Sequence, residues 1–318
     1  MLIVTSTPPR LHVVTGKGGT GKTTVAAALA LGLASTHRQV LLVEVEGRQG
    51  LAQLFDTPPL PYAETRLATS RGGEVIGLAI DAEAAMLEYL EMFYNIKRGG
   101  SVLRKMGAID FVTTIAPGLR DVLLTGKVKE AVTRTSNGRP SFDAVVLDAP
   151  PTGRITQFLQ ATHEVAGLTK IGPIHRQSTG VIDLLHGPET AVHIVTLLEE
   201  MPVQETLDAA GELTAAGYHL GQVIVNRARP ELVPAGKPTV SKLADGLRQA
   251  GLDAGLAPGL LAELADYAER QQVQQAAATD LGQAGAPIRR LPELAPPMDL
   301  GGLYELADAL DLDEWALT

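Results

Sequence analysis

Residues 16–24 read Gly16-Lys17-Gly18-Gly19-Thr20-Gly21-Lys22-Thr23-Thr24. They directly follow the apolar run Leu11 to Val14 and precede a stretch rich in Ala and Leu that has the composition of a helix. A glycine-rich loop between a strand and a helix lets successive backbone N–H groups surround a polyphosphate, and the helix adds its positive end. The stretch therefore predicts a phosphate-binding loop of the Walker A type, rather than a glycine-rich turn with a chance lysine.

Side chains and backbone of this loop are the predicted ligands of a nucleotide. We expect the Lys22 ammonium to reach the β- and γ-phosphates and the Thr23 hydroxyl to bind Mg²⁺. The remaining predicted contacts to the phosphates are Gly18, Gly19, Thr20, Gly21 and Thr24. The sequence thus predicts ATP with Mg²⁺ as the bound pair.

Apolar, β-branched runs alternate with longer segments of helical period along the chain, which is typical of βαβ units. The predicted strands are Leu11 to Val14, Val40 to Val45, Glu74 to Ile80, Ala144 to Leu147, Ala191 to Leu197, Gln222 to Val225 and Pro287 to Leu291. The predicted helices are Lys22 to Thr36, Ala82 to Ile96, Leu119 to Thr135, Ile155 to His163, Val203 to Ala216, Val240 to Ala250, Pro258 to Ala278 and Leu303 to Leu310.

This alternation predicts an α/β fold, a mostly parallel sheet flanked by helices as in P-loop NTPases. We expect a single domain over residues 1–318. Within it, residues 81–135 are predicted to form a helical insertion on the sheet edge, because no strand pattern separates their helices. Residues 167–188, punctuated by Gly, His and Ser, are predicted to be a mobile segment with one short helix.

Two carboxylates follow predicted strands on the side where such sheets bind ligands. Asp148 closes an apolar run as in a Walker B motif, so it is expected to hold Mg²⁺ through a water molecule. Glu46 follows the second predicted strand and is the candidate to orient or deprotonate the attacking water.

Composition excludes several other classes of protein. The chain has no cysteine, which rules out thiolate metal sites, disulfides and cysteine nucleophiles, and its seven histidines show no metal-ligand spacing. The formal net charge of −9 argues against nucleic acid as a partner. The start of the chain lacks a secretory signal, and its longest apolar stretch is too short to cross a bilayer, so we expect a cytoplasmic protein that reaches a membrane only through a partner.

The spacing of Lys17 and Lys22 resembles the deviant Walker A motif of the dimeric nucleotide-switch ATPases, which include MinD, ParA, nitrogenase iron protein, ArsA and the tail-anchored-protein-targeting ATPases. In that group the first lysine crosses the dimer interface to the partner's nucleotide. The resemblance therefore implies a dimer through the nucleotide face, with Lys17 in that role; a solvated charge is the alternative.

Residues 148–154, Asp-Ala-Pro-Pro-Thr-Gly-Arg, resemble the D-T-A-P-T-G-H switch of the ArsA and targeting branch. Residues 116–121 and 196–213 are similar to that branch's P-G-x-x-E segment and P-E-x-x-x-x-E helix. Asn226 stands where the family places an adenine-contacting Asn; an amide that merely caps a turn is the alternative. Pro292, after the last predicted strand, is expected to line the adenine pocket; a proline that merely ends a strand is the alternative.

Several departures limit what the resemblance implies. The family's first switch reads D-P-A, whereas this chain has Glu46-Gly47-Arg48, and one added methylene can misplace the carboxylate enough to slow hydrolysis. The lack of cysteine removes the arsenite-binding thiols of ArsA and the zinc clasp of the targeting ATPases. The segment between Gly153 and Ala191 is too short for a complete client groove.

The resemblance implies an ArsA-like ATPase, a dimeric Mg-ATP-dependent switch coupled to an unidentified membrane-transport or protein-targeting partner. Glu46 and Arg48 motivate an alternative, a weakly hydrolysing or non-hydrolysing subunit paired with a paralogous ATPase. A third interpretation, a ParA- or MinD-like positioning protein, is disfavoured by the acidic balance and by a C-terminus without Lys or Arg.

Overall fold

The computed structural model describes residues 8–35, 38–94, 117–168, 173–230 and 238–312. At its centre is a sheet of eight strands. A short antiparallel hairpin over residues 135–140 forms a separate two-stranded sheet. The strands are β1 (Leu11–Gly16), β2 (Gln39–Glu44), β3 (Thr65–Ser70), β4 (Gly73–Ala79), β5 (Thr135–Ser136), β6 (Arg139–Pro140), β7 (Ala144–Asp148), β8 (Thr190–Thr196), β9 (Leu220–Ala228) and β10 (Ile288–Pro292).

Helices cover both faces of the sheet. They are α1 (Lys22–Ala34), α2 (Gly50–Leu54), α3 (Ala82–Tyr94), α4 (Pro117–Thr133), α5 (Thr152–Leu168), α6 (Pro173–His186), α7 (Glu200–Ala215), α8 (Val240–Gln249), α9 (Ala257–Leu281) and α10 (Leu300–Ala309). Single 3₁₀ turns precede and follow α9.

The strand order is β10-β9-β8-β1-β7-β2-β4-β3, and every neighbouring pair is parallel except β3 with β4. This confirms the predicted α/β fold with a mostly parallel sheet. All seven predicted strands and all eight predicted helices are present, with ends shifted by a few residues. The predicted helix ends at Thr36 and Ile96 lie outside the described residues.

The edge strand β3 was not predicted. Its residues Thr65–Ser70 are mostly polar and only partly buried, as expected for an edge strand, so they lack the apolar run that marked the others. Arg71 and Gly72 both have positive φ, at 43° and 95°, and connect β3 to β4 in a tight two-residue turn. This edge strand is antiparallel because such a short turn can only reverse the chain.

Within residues 167–188, predicted to be a mobile segment with one short helix, residues 173–186 form the 14-residue helix α6, which is longer than expected. Val181, Leu184 and Leu185 recur at helical spacing and are buried in the core of one sheet face. Burial of this stripe stabilises the helix despite the glycine and polar residues within it.

The predicted helical insertion is described at its two ends, α3 and α4, while residues 95–116 lie outside the described part of the chain. Buried residues of α4, among them Leu124, Val128 and Val132, join the core that also contains β7 side chains. Helix α4 therefore covers the middle of the sheet and not its edge.

Helix α1 lies on the opposite face and is apolar on all sides. Residues Val25 to Leu31 have no exposed surface because the sheet covers one side of the helix and α10 covers the other. The loop before α1, the end of β7 and the end of β2 lie side by side, since β1, β7 and β2 are parallel neighbours. This carboxyl edge is where open α/β sheets bind their ligands.

Within the described ranges, the structure contains no helix with the length and apolar character needed to cross a membrane.

Candidate nucleotide-binding site

The loop between β1 and α1 has a backbone that only glycine accommodates at two positions. Gly16 has φ 154°, and a Cβ on it would lie 2.2 Å from the Val195 carbonyl oxygen. Gly21 has φ 85°, and its Cβ would lie 2.4 Å from Asn226 Nδ2. Gly21 is also the N-cap of α1 and no side chain caps the helix there, so the first N–H groups of α1 remain available to an anion.

Thr20 has a structural role in this loop that the sequence did not suggest. Its side chain is buried, and its hydroxyl donates to the Lys17 carbonyl oxygen at 2.8 Å. The neighbouring Gly18 and Gly19 are exposed, and nothing lies within 4 Å of a Cβ built on either. The loop is therefore braced from inside while its outer rim is open to a ligand.

Thr23 and Asp148, the two predicted Mg²⁺ ligands, are in contact. The Thr23 hydroxyl donates to Asp148 Oδ2 at 2.6 Å, whereas the buried Oδ1 has no hydrogen-bond partner among the described residues. Burial raises the pKa of Asp148 to about 6, against the hydrogen bond from Thr23 and the charge of Lys22, which lower it. The positive charge and hydrogen bonding around the Asp148 carboxylate therefore do not offset the cost of its burial.

This donor set fits Mg²⁺. The ion binds oxygen ligands and is usually held by one or two protein groups together with phosphates and water, so a hydroxyl beside a carboxylate with a free oxygen is suitable. In the described ranges, no three His, Asp or Glu side chains cluster in a way that could hold a metal by themselves. Thr23 and Asp148 are thus the residues that would hold the ion, with the nucleotide supplying further oxygens.

Glu46 lies in the loop that joins β2 to α2. Its side chain is about one-fifth exposed, and its Oε2 is 3.8 Å from Arg48 Nε. The negative charge of Glu46 helps to raise the pKa of Asp148, which places the two carboxylates in the same site. Glu46 is therefore near the predicted metal ligands, but its carboxylate also lies beside the exposed guanidinium of Arg48.

Lys17 is bound within its own chain. Its Nζ lies 2.6 Å from Glu205 Oε1 on α7, with both side chains about one-third exposed. The other carboxylate oxygen of Glu205 accepts a long hydrogen bond from the hydroxyl of Thr152, the first residue of α5. Lys17 is thereby linked to the segment that follows Asp148.

Asn226 braces the phosphate loop from beneath. Its Nδ2 donates to the Thr20 carbonyl oxygen at 2.8 Å, and its Oδ1 accepts the backbone N–H of Arg227. A bulge in the pairing of β9 with β10 at this point gives Arg227 a positive φ of 52°. Pro292 ends β10 and is exposed. The adenine contacts of Asn226 and Pro292 remain predictions.

Helix α4 contacts both segments that flank the metal ligands. Arg120 donates to the Val45 carbonyl oxygen at 3.4 Å, beside Glu46. Asp121 is buried and lies 3.4 Å from a guanidinium nitrogen of Arg154 in α5. Burial raises the pKa of Asp121, against the charges of Arg154 and Arg120. Arg120 and Asp121 belong to the 116–121 stretch, of which Ala116 lies outside the described residues.

Two acidic residues at the site were not assigned a role from the sequence. Glu44 ends β2 and is only 2% exposed, and Glu205 holds Lys17. The charged residue at the end of an otherwise apolar strand is a signal that could have identified Glu44. Glu205 belongs to a recognised segment, but its contact with Lys17 spans 188 positions and depends on the fold.

Comparison with known proteins agrees with the site. Residues 10–188 match the model of the anion-transporting ATPase family ArsA. The chain is 54% identical over 315 residues to the ATPase BagA of Mycobacterium tuberculosis, covering 95% of this chain and 92% of that protein.

More distant similarity reaches two other kinds of ATPase. The chain is 26% identical over 255 residues to the arsenical pump-driving ATPase of Acidiphilium multivorum, covering 73% of this chain and 41% of that protein. It is 27% identical over 177 residues to the ATPase get3 of Schizosaccharomyces japonicus, covering 53% and 51%. Together with the phosphate loop and the Thr23–Asp148 pair, these matches show that the chain belongs to the anion-transporting ATPase (ArsA) family.

Proposed function

We propose that this protein is a dimeric switch that binds and hydrolyses Mg-ATP and passes its nucleotide state to a membrane-transport or protein-targeting partner. The observation that carries the proposal is the Thr23–Asp148 pair beneath the phosphate loop, with one buried carboxylate oxygen that has no partner among the described residues. A folded protein retains an unpaired buried oxygen of this kind where a ligand completes it.

Phosphoryl transfer needs positioning and charge stabilisation more than a nucleophilic side chain. The loop backbone and Lys22 neutralise the phosphates, Thr23 and Asp148 hold the metal, and Glu46 orients the attacking water. When bound, Mg²⁺ supplies positive charge against the phosphate oxygens. Every group required for hydrolysis is thus supplied by residues of the carboxyl edge of β1, β2 and β7.

In the proposed dimer, Lys17 reaches the nucleotide of the other subunit. Its present bond to Glu205 must then break, which leaves Thr152 as the partner of the Glu205 carboxylate. Dimer formation would in this way be reported to α5. The cost is modest because an ion pair this exposed stabilises by about 1 kcal/mol or less.

Contacts of helix α4 connect the nucleotide site with the helices on the same face of the sheet. Arg120 bonds to the Glu46 loop and Asp121 contacts α5, so a shift of either segment acts on α4 directly. We infer that α4 and the helices packed on it, α5 and α6, form the output side of the switch.

A second candidate function is a nucleotide-binding subunit that hydrolyses weakly or not at all and pairs with a paralogous ATPase. The 3.8 Å contact of Glu46 with Arg48 favours it, since the guanidinium gives the carboxylate a partner other than the attacking water.

Single-turnover hydrolysis by the pure protein separates the two. Hydrolysis above background that is lost in Glu46→Gln supports the switch. A rate at background in the wild type, with ATP bound, supports the second function.

Light scattering with Mg²⁺ and a non-hydrolysable ATP analogue tests the dimer. Two subunits are expected for the wild type, and Lys17→Ala should weaken the association. A strict monomer in every nucleotide state would overturn the role of Lys17.

A further inference from the structure

Glu44 is a buried carboxylate to which the proposed mechanism gives no task. It is the last residue of β2, is 2% exposed, and forms no ion pair with a described residue. Burying a carboxylate costs free energy that its contacts must offset, and an apolar residue would fill the end of a strand without that cost. The charge at this position therefore needs a reason.

Both oxygens of Glu44 accept backbone N–H groups from the first turn of α2. Oε1 lies 3.3 Å from Gly50 N and Oε2 lies 3.2 Å from Leu51 N. Helices leave such N–H groups without a partner, and the residue just before the helix usually supplies the acceptor. Here Gln49 holds that position in a left-handed conformation and makes no side-chain cap bond. Glu44 supplies the cap from the neighbouring strand end.

These two bonds close the loop of residues 45–49, which carries Glu46. The far end of the loop is pinned separately, because the Gln49 side chain exchanges two hydrogen bonds with the Leu60 backbone. Gly47 at φ 67° sits in the middle, where a Cβ would have no atom of the described residues within 4 Å. The position of Glu46 thus depends on how firmly the two ends of its loop are held.

The first turn of α2 also packs on the predicted metal ligand. A Cβ on Gly50 would lie 3.2 Å from Thr23 Cγ2, so backbone and side chain are in close contact there. On the other side, Glu44 pairs in register with Asp148 across β2 and β7. Glu44 therefore stands between the loop of Glu46 and both metal ligands.

We propose that Glu44 is a positioning residue for hydrolysis: its carboxylate fixes the start of α2 and so sets the place of Glu46 relative to Thr23 and Asp148. This inference rests on the proposed function, in which Glu46 orients the water. Displacement of a reacting group by about an ångström can cost about 100-fold in rate. Binding of the phosphates, which uses the loop of residues 16–24, would be unaffected.

The test compares Glu44→Gln and Glu44→Asp with the wild type in single-turnover hydrolysis and in binding of a fluorescent ADP analogue. The Gln amide can accept only one of the two N–H bonds, so the hydrolysis rate should fall about 10- to 100-fold. The shorter Asp keeps the charge and should give an intermediate rate. The dissociation constant for the ADP analogue should change less than about twofold, since the rate change comes from orientation.

A matched control is Asp143→Asn. Asp143 accepts the backbone N–H of Gln39 at 2.8 Å, so it makes the same kind of bond at the opposite end of β2. Its hydrolysis rate should stay within about twofold of the wild type.

The outcomes separate this inference from the proposed function. If Glu44→Gln hydrolyses at the wild-type rate while Glu46→Gln does not, the positioning role is overturned and the ATPase stands. If Glu46→Gln hydrolyses normally, the role of Glu46 is wrong and the positioning role of Glu44 falls with it; if the wild type itself hydrolyses only at background, the proposed function fails. A fall in ADP affinity that parallels the fall in rate also overturns the positioning role, because it indicates general loss of structure.

Hydrogen exchange in the wild type gives a reading that needs no variant. The amides of Gly50 and Leu51 should be protected by the Glu44 carboxylate, and exchange at the rate of an open loop would overturn the proposal.

Discussion

Helices α1 and α8 lie at opposite extremes of burial within the same fold. Residues Val25 to Leu31 of α1 have no exposed surface, whereas α8 has no buried residue. The sheet and α10 enclose α1, and α8 packs mainly on α9 and the short turn before it. The helix that carries the phosphate loop is thus held by the core, while α8 depends on local contacts.

The length of α9 explains how α8 comes to lie outside the core. Its 25 residues span about 37 Å, about twice the length of the five-residue strand β10 that follows it. Only Ala257, Ala277 and Leu281 of α9 are buried. Because its last turn joins the core and β10 runs toward the carboxyl edge, the first half of α9 extends beyond that edge and carries α8 with it.

This difference has a consequence for substitution. The nucleotide end cannot change without disturbing packed side chains, whereas α8, which has no buried residue, is free of that constraint. A groove of about 700 Å³, lined by α9 and by Asn226 and Arg227 of β9, separates the two regions. We therefore expect substitutions beside the core to be tolerated better than substitutions within it.

The difference in burial between the two regions is tested most directly by replacing one leucine with alanine in each. Leu29→Ala in α1 should lower the free energy of unfolding by about 2–5 kcal/mol, because it opens a cavity in a fully packed helix. Leu256→Ala, at a side chain that is 58% exposed, should change it by about 0.5 kcal/mol or less. Urea unfolding followed by circular dichroism measures both, and equal losses would show that the α8–α9 region is part of the core.

A second prediction concerns the charge held at the nucleotide end. Asp148→Asn keeps an acceptor for Thr23 but removes the negative charge, so the affinity for Mg²⁺ in the presence of nucleotide should fall about 10- to 100-fold. A Mg²⁺ titration with a fluorescent ATP analogue measures it. Asp143→Asn, at the other end of β7, should leave the affinity unchanged. Equal Mg²⁺ affinity in the wild type and in Asp148→Asn would remove Asp148 from the site.

Acid should weaken the buried region through a pair of histidines in the core. Gln222 N–H donates to His193 Nδ1, so His193 Nε2–H donates to His12 Nδ1, and His12 Nε2–H donates to the Pro9 carbonyl oxygen. This order requires both rings to be neutral. Burial accordingly lowers the pKa of His12 to about 4, and that of His193 well below its usual value.

The sign of the effect follows from these depressed values. Below about pH 6.5 the histidines of the unfolded chain become protonated, whereas His12 of the folded chain stays neutral down to about pH 4. The stability that depends on neutral histidines is therefore full above about pH 6.5 and is lost as the pH falls toward 4. The slope is at most about 1.4 kcal/mol per pH unit for each histidine. In His12→Gln, which cannot titrate but keeps a donor and an acceptor, unfolding measured from pH 7.5 to 5 should show a shallower slope. Equal slopes in both proteins would contradict this role.

The smallest expected effect on stability is at the ion pair of Lys17 with Glu205. Glu205→Gln should change the free energy of unfolding by about 1 kcal/mol or less, because both side chains are partly exposed. It should nevertheless raise the dimer fraction seen by light scattering with a non-hydrolysable ATP analogue, since Lys17 is released. Glu212→Gln on the same helix, whose carboxylate accepts from Thr156, is the control. A dimer fraction no higher than in the control would argue against this restraint on Lys17.

Much of the fold could be predicted because its signals are local. The apolar runs of β1, β2 and β7 and the glycines of the loop lie within a few residues of one another. The length of the α6 helix was underestimated because its polar residues and glycine obscured a spacing of Val181, Leu184 and Leu185 that was present in the sequence. The edge strand β3 was missed because a half-exposed strand has no apolar run.

The site was predictable only in part, for the same reason. Lys22, Thr23, Asp148 and Glu46 were identified from motifs, and the structure brings Thr23 and Asp148 into contact and Glu46 near them. The contact of Asn226 with the phosphate loop joins residues 206 positions apart, so no local pattern reports it.

The sequence by itself determined the class of fold, the candidate phosphate-binding loop and the family, because each depends on short runs of residues whose conformation is set by close neighbours. Only the tertiary structure decided which groups those residues meet. Glu44 turns out to cap α2, Glu205 to hold Lys17 and Asn226 to brace Thr20, since hydrogen bonds act over about 3 Å and only folding brings distant parts of the chain that close.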